Sequence, residues 1–127
     1  MSPMQRTLKY YRAMGYTRGI VEHWNPFARI RQDLFGFIDI VVLAPGMIIG
    51  AQACAGASHS ARRTKILVSP LSREWLEAGG KIVVISWAKR KVVKGGKKEV
   101  WQCREEGITF EDLDRESKKL QLRDSRA

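Results

Sequence analysis

The stretch FIDIVVLAPGMIIGAQA, residues 37–53, decides the fold that this chain adopts. It holds two apolar runs rich in β-branched residues, 37–43 and 47–53, on either side of Ala-Pro-Gly. β-Branched residues favour strands, and a Pro-Gly sequence between two such runs favours a tight reversal of the chain. The stretch therefore predicts a β-hairpin of two antiparallel strands.

The predicted hairpin has one polar and one apolar face, because side chains alternate along a strand. When the turn is centred on Pro45 and Gly46, Asp39 lies opposite Gln52. The other face is wholly apolar and carries Ile38, Ile40, Val42, Ile49, Ala51 and Ala53. Tight hairpins usually contain primed turns, so a longer loop with another register is the alternative. A shift by one residue would separate Asp39 from Gln52.

Outward from the hairpin, hydrophobic periodicity predicts an α/β domain with the order α, three strands, α, two strands, α. Helices are predicted over residues 4–14, 58–68 and 110–122, a helical turn or two over 72–78, and further strands over 19–24, 81–87 and 100–104. A single domain is expected over 1–108, including a basic loop at 89–98. A C-terminal helix and a frayed tail are expected over 109–127.

The composition narrows the class of protein. Of the 127 residues, 44% are hydrophobic, which is enough for a packed core and excludes a wholly disordered basic protein. No apolar run reaches the roughly 18 residues that span a bilayer, and the first residues lack the apolar segment of a signal peptide. Cys54 and Cys103 form neither a CxxC motif nor a disulfide framework. A cytoplasmic protein is therefore expected.

The net charge of +10 comes from 23 Lys and Arg against 13 Asp and Glu, and it predicts a polyanionic partner, most simply nucleic acid. The excess lies in residues 1–103, which hold 17 basic and six acidic residues. Two groups of basic residues are the candidate phosphate contacts: Arg62, Arg63 and Lys65 on the predicted second helix, and Lys89, Arg90, Lys91, Lys94, Lys97 and Lys98 in the basic loop.

Asp39 is the candidate centre of a site, because a charge within an apolar strand costs several kcal/mol unless it is paired or binds a cation, roughly as polar-burial data indicate. Asp33 and Glu22 precede it, so three of the six acids of the basic region fall within residues 22–39. Carboxylate and amide oxygens suit Mg²⁺ or Mn²⁺, and the spacing predicts a metal site at Glu22, Asp33, Asp39 and Gln52. Two alternatives stay open. Asp39 accepts hydrogen bonds from an Arg or from backbone N–H groups, and Glu22 forms a salt bridge with Arg29 or Arg31.

Residues 4–88 resemble the core of the PD-(D/E)XK nuclease superfamily, in which helices flank a mixed sheet in the order α-β-β-β-α-β. The resemblance rests on WNPFARIRQDLFGFIDIV at 24–41, on the Gln of GAQA at 50–53, and on the Ser-, Arg- and Lys-rich segment that follows. This pattern is similar to small nuclease-like proteins of phages and bacteria, and more distantly to archaeal Holliday-junction resolvases. The resemblance implies a protein of a bacterial, archaeal or phage-infected cell.

The resemblance further implies an endonuclease that uses Mg²⁺ or Mn²⁺ to hydrolyse phosphodiester bonds in DNA, including branched or otherwise structured DNA, rather than in RNA. Asp39 matches the Asp of the motif, Gln52 takes the position of its Asp/Glu, and the backbone carbonyl of Ala53 is a further metal ligand. The metal ion activates the attacking water. Many members of the superfamily act as homodimers, so a homodimer is an expectation here as well.

The sequence departs from the motif at position 54, where Cys54 stands in place of the lysine. A thiol supplies no positive charge, so a basic residue of the following helix would have to replace the lysine. Lys65 is the predicted water-activating residue, because an amine shifts its pKa more readily than a guanidinium. Simple phosphate contact is the alternative role for this helix. Gln52 also lacks charge, which Asp33 would supply to the site.

Two other functions remain open from the sequence. The first is a nucleic-acid-binding protein that keeps the nuclease fold without its catalytic activity, which Gln52 and Cys54 favour. The second is a structural or assembly protein in which Asp39 forms a buried salt bridge.

Overall fold

The computed structural model describes residues 1–126 and is an α/β fold with a five-stranded mixed sheet. The described helices are α1 (Pro3–Ala13), α2 (His59–Val68), α3 (Leu71–Glu77) and α4 (Phe110–Arg126). The strands are β1 (Thr17–Ile20), β2 (His23–Asn25), β3 (Ile30–Gln32), β4 (Ile40–Ala44), β5 (Met47–Ala55), β6 (Lys81–Lys91) and β7 (Glu99–Ile108). None of these helices is long and apolar enough to cross a lipid bilayer.

The main sheet has the order β1-β4-β5-β6-β7, and β2 and β3 pair separately. Within the main sheet β5 and β6 are parallel, and the other neighbouring strands are antiparallel. The parallel pair is connected through α2 and α3, as parallel strands require a crossover connection. The carboxyl ends of β5 and β6, the first residue of β4 and the start of α2 consequently meet at one end of the sheet.

The β4–β5 hairpin confirms the predicted register, with Ile40 opposite Ala51 and Ala44 opposite Met47. Its turn contains Pro45 followed by Gly46, and Gly46 has φ +71°. Proline at the first central position and a left-handed glycine at the second are typical of a type II turn. A tight two-residue turn therefore forms without the primed geometry that hairpins usually adopt.

A backbone irregularity at Asp39 changes which face carries Ile38. The Asp39 N–H donates to the Ala51 carbonyl at 3.0 Å, although Ile40 is the register partner of Ala51. Two consecutive residues of one strand, Asp39 and Ile40, thus lie opposite the single residue Ala51, as in a β-bulge. A bulge bends the strand and changes the direction of its side chains. The prediction that Ile38 shares a face with Ile40 is wrong, because Ile38 packs with Phe37 in the opposite core cluster.

Both faces of the sheet are covered. Tyr11 of α1 packs on the face that carries Ile40, Val42, Ile49 and Ala51. The other face packs against α2, α3 and α4 in a cluster made by Phe37, Ile38, Cys54, Ile66, Ile82, Val84, Ile108 and Leu113. The part of the predicted polar face that carries Asp39, Gln52 and Cys54 is therefore buried, whereas Leu43 and Ile48 of the same face are exposed.

The remaining differences from the sequence prediction concern element ends. The single strand predicted over 19–24 is two strands, because β1 pairs with β4 whereas β2 pairs with β3. β6 continues to Lys91, so Lys89, Arg90 and Lys91 lie on a strand and only residues 92–98 form the basic loop. The last helix continues to Arg126 instead of fraying after residue 122, and position 127 lies outside the described residues.

Candidate active site

The side chains of Asp39 and Gln52 meet inside the protein, although the bulge places the Asp39 backbone opposite Ala51. Asp39 is 4% exposed and Gln52 is 3% exposed. The Gln52 Nε2 donates to Asp39 Oδ2 at 2.9 Å, and the Ala53 N–H lies 3.2 Å from each carboxylate oxygen. Asp39 thus accepts hydrogen bonds from an amide and from a backbone N–H group, which confirms the backbone alternative that the sequence left open for this residue. This arrangement contradicts the buried salt bridge expected of a purely structural protein.

Burial, together with two other acids, raises the pKa of the Asp39 carboxyl to about 7. Desolvation is the largest cause, and the negative charges of Asp33 and Glu22 add to it. The hydrogen bonds from Ala53 and Gln52 oppose the rise, because they favour the charged form. The structure therefore brings Glu22 and Asp33 near enough to act on Asp39, as the sequence pattern predicts.

The oxygen of the Gln52 amide, unlike its nitrogen, has no hydrogen-bond partner. Gln52 Oε1 is buried without a donor in the structure, and a buried unpaired acceptor typically costs about 1–3 kcal/mol. Unpaired buried groups are uncommon and are often explained by an ion or a ligand. An unpaired amide oxygen beside a carboxylate provides oxygen ligands of the kinds that Mg²⁺ and similar cations bind.

A tight turn brings Asp33 beside Asp39. Leu34 and Ile38 form an antiparallel bridge, so the residues flanking this pair, Asp33 and Asp39, come next to each other. Phe35 has φ +56° and Gly36 has φ +84°, and two successive positive φ values are the mark of a type I′ turn. Phenylalanine is a poor residue for this conformation, which is why the sequence did not indicate the turn.

The two acids near Asp39 are themselves paired with cations. Asp33 Oδ2 accepts from Lys65 Nζ at 2.9 Å, and Glu22 Oε1 lies 3.6 Å from Arg31 Nε. The salt bridge of Glu22 with Arg31, one of the two alternatives open from the sequence, is therefore confirmed. Lys65 is held beside the site by Asp33, and its side chain is 40% exposed.

A groove of about 670 Å³ opens beside these ion pairs. It is lined by His23, Arg31, Gln32, Asp33, Gly36, Arg62 and Lys65. Burial raises the pKa of the Cys54 thiol, and the positive charge of Arg62 opposes this rise. Arg62 therefore lies near Cys54 as well as at the groove. A cation from α2 thus acts electrostatically on position 54.

Arg63 is not brought to this groove. Its Nε lies 3.3 Å from Glu106 Oε1, and its Nη2 lies 3.3 Å from Asp112 Oδ1. The contact with Glu106 is an ion pair without a hydrogen bond, since Nε is buried and has no acceptor in suitable geometry. Arg63 therefore joins α2 to β7 and α4, and it is not placed to contact phosphate as the sequence pattern indicated.

A buried polar network, which the sequence analysis does not predict, joins His59 at the start of α2 to Ser86 and Glu106 of the sheet. His59 is 3% exposed, with Nδ1 at 2.6 Å from Ser86 Oγ and Nε2 at 2.9 Å from Glu106 Oε1. No signal in the sequence links these three residues, because their contact depends on the β6–β7 register and on the packing of α2. The network fixes the start of α2 against the sheet.

The end of β6, the loop 92–98 and the start of β7 form a hairpin, here called the basic hairpin, whose cationic side chains are exposed to solvent. Lys89, Arg90, Lys91, Lys94, Lys97 and Lys98 are all exposed, and none has a carboxylate partner within the described residues. The hairpin extends from the carboxyl end of β6, which is the end of the sheet where Asp39 lies. Its charge is therefore available to a polyanion that reaches the groove.

The acids near Asp39 do not by themselves form a metal cage. Within residues 1–126, no three His, Cys, Asp or Glu side chains are arranged so that they could enclose a metal ion. Comparisons of the chain with protein families, with curated proteins and with solved structures find no match.

Proposed function

We propose that the chain is a metal-dependent endonuclease that hydrolyses phosphodiester bonds in DNA. The observation that carries the proposal is the buried Asp39 carboxyl, whose pKa is raised to about 7 beside the unpartnered Oε1 of Gln52. In a chain of net charge +10, acids gathered beside a basic groove suit a cation that bridges the protein and a phosphate.

The donor set fits Mg²⁺ or Mn²⁺ without a cage of three acids. Mg²⁺ usually keeps several waters and is held by one or two carboxylates together with substrate phosphates. Asp39 and Gln52 Oε1 would supply protein ligands, with Asp33 as a second carboxylate once it separates from Lys65. The N–H of Ala53 points to Asp39, and the carbonyl of an extended residue points to the same side as its N–H. The Ala53 carbonyl is therefore also a fitting ligand.

When bound, the metal ion would polarise the phosphate and activate a water. The residues of this chain perform the other tasks. Arg62 is proposed to hold a phosphate near position 54, because its guanidinium presents a fork of N–H donors that matches phosphate oxygens. Lys65 is proposed to stabilise the charge that develops in the reaction. Its ion pair with Asp33 holds it at the groove before the metal ion binds, and the pair would open when Asp33 turns to the metal ion.

The architecture supports the restriction-endonuclease-like fold as the finer assignment. The element order α1, β1, β4, β5, α2, β6 follows α-β-β-β-α-β, and the corresponding strands are neighbours in the sheet with β5 parallel to β6. β2 and β3 form an insertion before β4, and β7 extends the sheet beyond β6.

The test is cleavage of supercoiled plasmid and of branched DNA in Mg²⁺, in Mn²⁺ and in EDTA. We expect nicking in either metal and none in EDTA, and we expect Asp39→Asn to abolish it. Asp114→Asn is the matched control, because Asp114 lies on α4 with its side chain 60% exposed. Full cleavage by the Asp39→Asn variant would overturn the assignment of the site.

A second candidate function is nucleic-acid binding without cleavage. Two observations favour it: Cys54 stands where the motif lysine is expected, and Lys65 is engaged by Asp33. This function predicts DNA that is shifted on a gel but uncut under all three conditions. In both cases binding should weaken with salt, and six phosphate contacts would give a log-log slope of about −5.

A further inference from the structure

A second groove, of about 490 Å³, lies at the end of the sheet where the basic hairpin begins. Its lining includes Arg6, Trp87, Lys89, Arg90, Trp101 and Arg104. Four of these residues are basic and none is acidic. The composition of the lining therefore favours an anionic ligand.

The charges of this groove are largely unneutralised. Within the described part of the chain, no carboxylate pairs with Arg6, Lys89 or Arg90, and the nearest acid to Arg104 is Glu106 at 3.9 Å. Unpaired cations in a concave surface concentrate the positive potential there. A phosphate backbone is the anion that matches several cations spread along a groove.

An aromatic platform accompanies these cations. Trp101 is 43% exposed, and the Arg6 guanidinium carbon lies 3.7 Å from the centroid of its ring. Lys89, the register partner of Trp101 on β6, places its Nζ 5.7 Å from the same ring. Aromatic rings and guanidinium planes are the two kinds of surface on which proteins stack unpaired bases.

The platform is held in place by the packing of α1. The Trp87 indole N–H donates to Thr7 Oγ1 at 2.9 Å, and the Thr7 hydroxyl donates to the Pro3 carbonyl at 2.8 Å. Tyr10 also packs edge-on against Trp87, with ring centroids 5.9 Å apart. Arg6 therefore projects from a fixed helix, and a base that stacks there need not order the site first.

We propose that this groove binds a single-stranded segment of nucleic acid, with an unpaired base stacked on the Arg6–Trp101 platform and phosphates on Lys89, Arg90 and Arg104. The inference rests on the proposed function, and it names the substrate class as DNA with unpaired nucleotides beside the cleavage site. A paired base cannot use the platform, because its faces are covered by its neighbours in the duplex.

The distance between the two sites fits a short single strand. β7 lies three strand spacings from β4, and Trp101 lies five residues beyond Glu106, which is level with Gln52 across β6. At about 4.8 Å per strand and 3.4 Å per residue, the separation is roughly 20 Å. Trp101 contacts α1 whereas Gln52 lies on the opposite face of the sheet, so a connecting strand must pass around the end of the sheet. At about 3.4 Å per stacked nucleotide, the separation within the sheet alone corresponds to roughly six nucleotides, which is the minimum length of that strand.

The experiment measures binding in EDTA, where no cleavage occurs, by fluorescence anisotropy with a labelled 20-nucleotide oligo(dT) and a labelled 20-base-pair duplex. We expect Trp101→Ala to weaken oligo(dT) binding about 5- to 150-fold, as the loss of one stacked base does elsewhere. Duplex binding should change less than about 2-fold. Phe110→Ala is the matched control, because Phe110 is an exposed ring with Arg73 over it at 5.6 Å. It should bind both probes as the unaltered chain does.

Two further variants test whether a base stacks on the platform and control for misfolding of Trp101→Ala. Trp101→Phe should retain most of the affinity for oligo(dT), since phenylalanine also stacks, and Arg6→Gln should weaken it without altering Trp101. These variants also decide the question if Trp101→Ala does not fold. Equal binding by Trp101→Ala and the unaltered chain would overturn the inference. Competition by polyglutamate as strong as competition by oligo(dT) would do the same, because it would show recognition of charge alone.

The result can be separated from that of the cleavage assay. If oligo(dT) binding depends on Trp101 but DNA is never cut, the groove is assigned and the nuclease proposal fails. If DNA is cut but Trp101 has no effect on oligo(dT) binding, the nuclease proposal stands and this inference fails.

Discussion

Replacing Asp39 by Asn should stabilise the metal-free protein at neutral and alkaline pH. The carboxyl has a pKa of about 7 in the folded chain against an ordinary value of 3.8. Between these pH values the folded state binds a proton that the unfolded state has lost, so the free energy of unfolding falls as the pH rises. The loss of unfolding free energy caused by ionising Asp39 is absent below about pH 3.8 and complete above about pH 7. At about 1.4 kcal/mol for each pH unit, it amounts to roughly 4 kcal/mol.

Asparagine keeps the shape of the side chain and carries no charge at any pH. Its oxygen can accept from the Ala53 N–H, and after rotation of the Gln52 amide its NH₂ can donate to Gln52 Oε1. The variant therefore keeps hydrogen bonds in the pair while it loses the buried charge. We expect the free energy of unfolding of the variant to equal that of the unaltered chain at pH 4, and to exceed it by several kcal/mol, at most about 4, at pH 8.

The measurement is urea denaturation of both chains in EDTA at pH 4, 6 and 8. Asp114→Asn serves as the control. The Asp114 carboxylate is 60% exposed and pairs with Arg73 at the surface, and an exposed ion pair usually contributes no more than about 1 kcal/mol. A variant that is less stable than the unaltered chain at pH 8 would refute the reasoning. A gain that is the same at all three pH values would refute it too, since the cost would then not arise from ionisation.

Three other expectations concern metal, backbone and the buried network. At pH 8, Mg²⁺ at 100 times its dissociation constant should raise the unfolding free energy by about 2.7 kcal/mol, and it should leave the Asp39→Asn variant unchanged in the same titration. Gly36→Ala should cost about 1–2 kcal/mol in urea denaturation, because Gly36 has φ +84°, whereas Gly19→Ala, with an ordinary φ and open space around it, should cost much less. Ser86→Ala removes the partner of His59 Nδ1 and should lower the unfolding free energy by about 1–3 kcal/mol; an unchanged thermal melting temperature would show that the bond contributes nothing.

Local interactions made the hairpin predictable. Its strands are adjacent in the chain, the Pro-Gly turn sets the register, and a register sets every pair of side chains along it. The register predicted that Asp39 and Gln52 lie close together, and their side chains do meet, although the bulge keeps them from being directly opposite. Ile38 was assigned to the wrong face, because alternation holds only along a regular strand and the bulge at Asp39 interrupts it.

The sequence by itself determined the α/β class, the hairpin, the concentration of acids around Asp39 and the excess of positive charge around them. Each of these follows from the residue types of a short segment or from a sum over the chain. Only the tertiary structure decided that Asp39 is buried on a covered face, that Lys65 pairs with Asp33, and that Arg6 lies on Trp101. The two contacts join residues 32 and 95 positions apart, and the burial of Asp39 depends on the helices that cover its face of the sheet. Side-chain periodicity carries no information about which helix covers which strand.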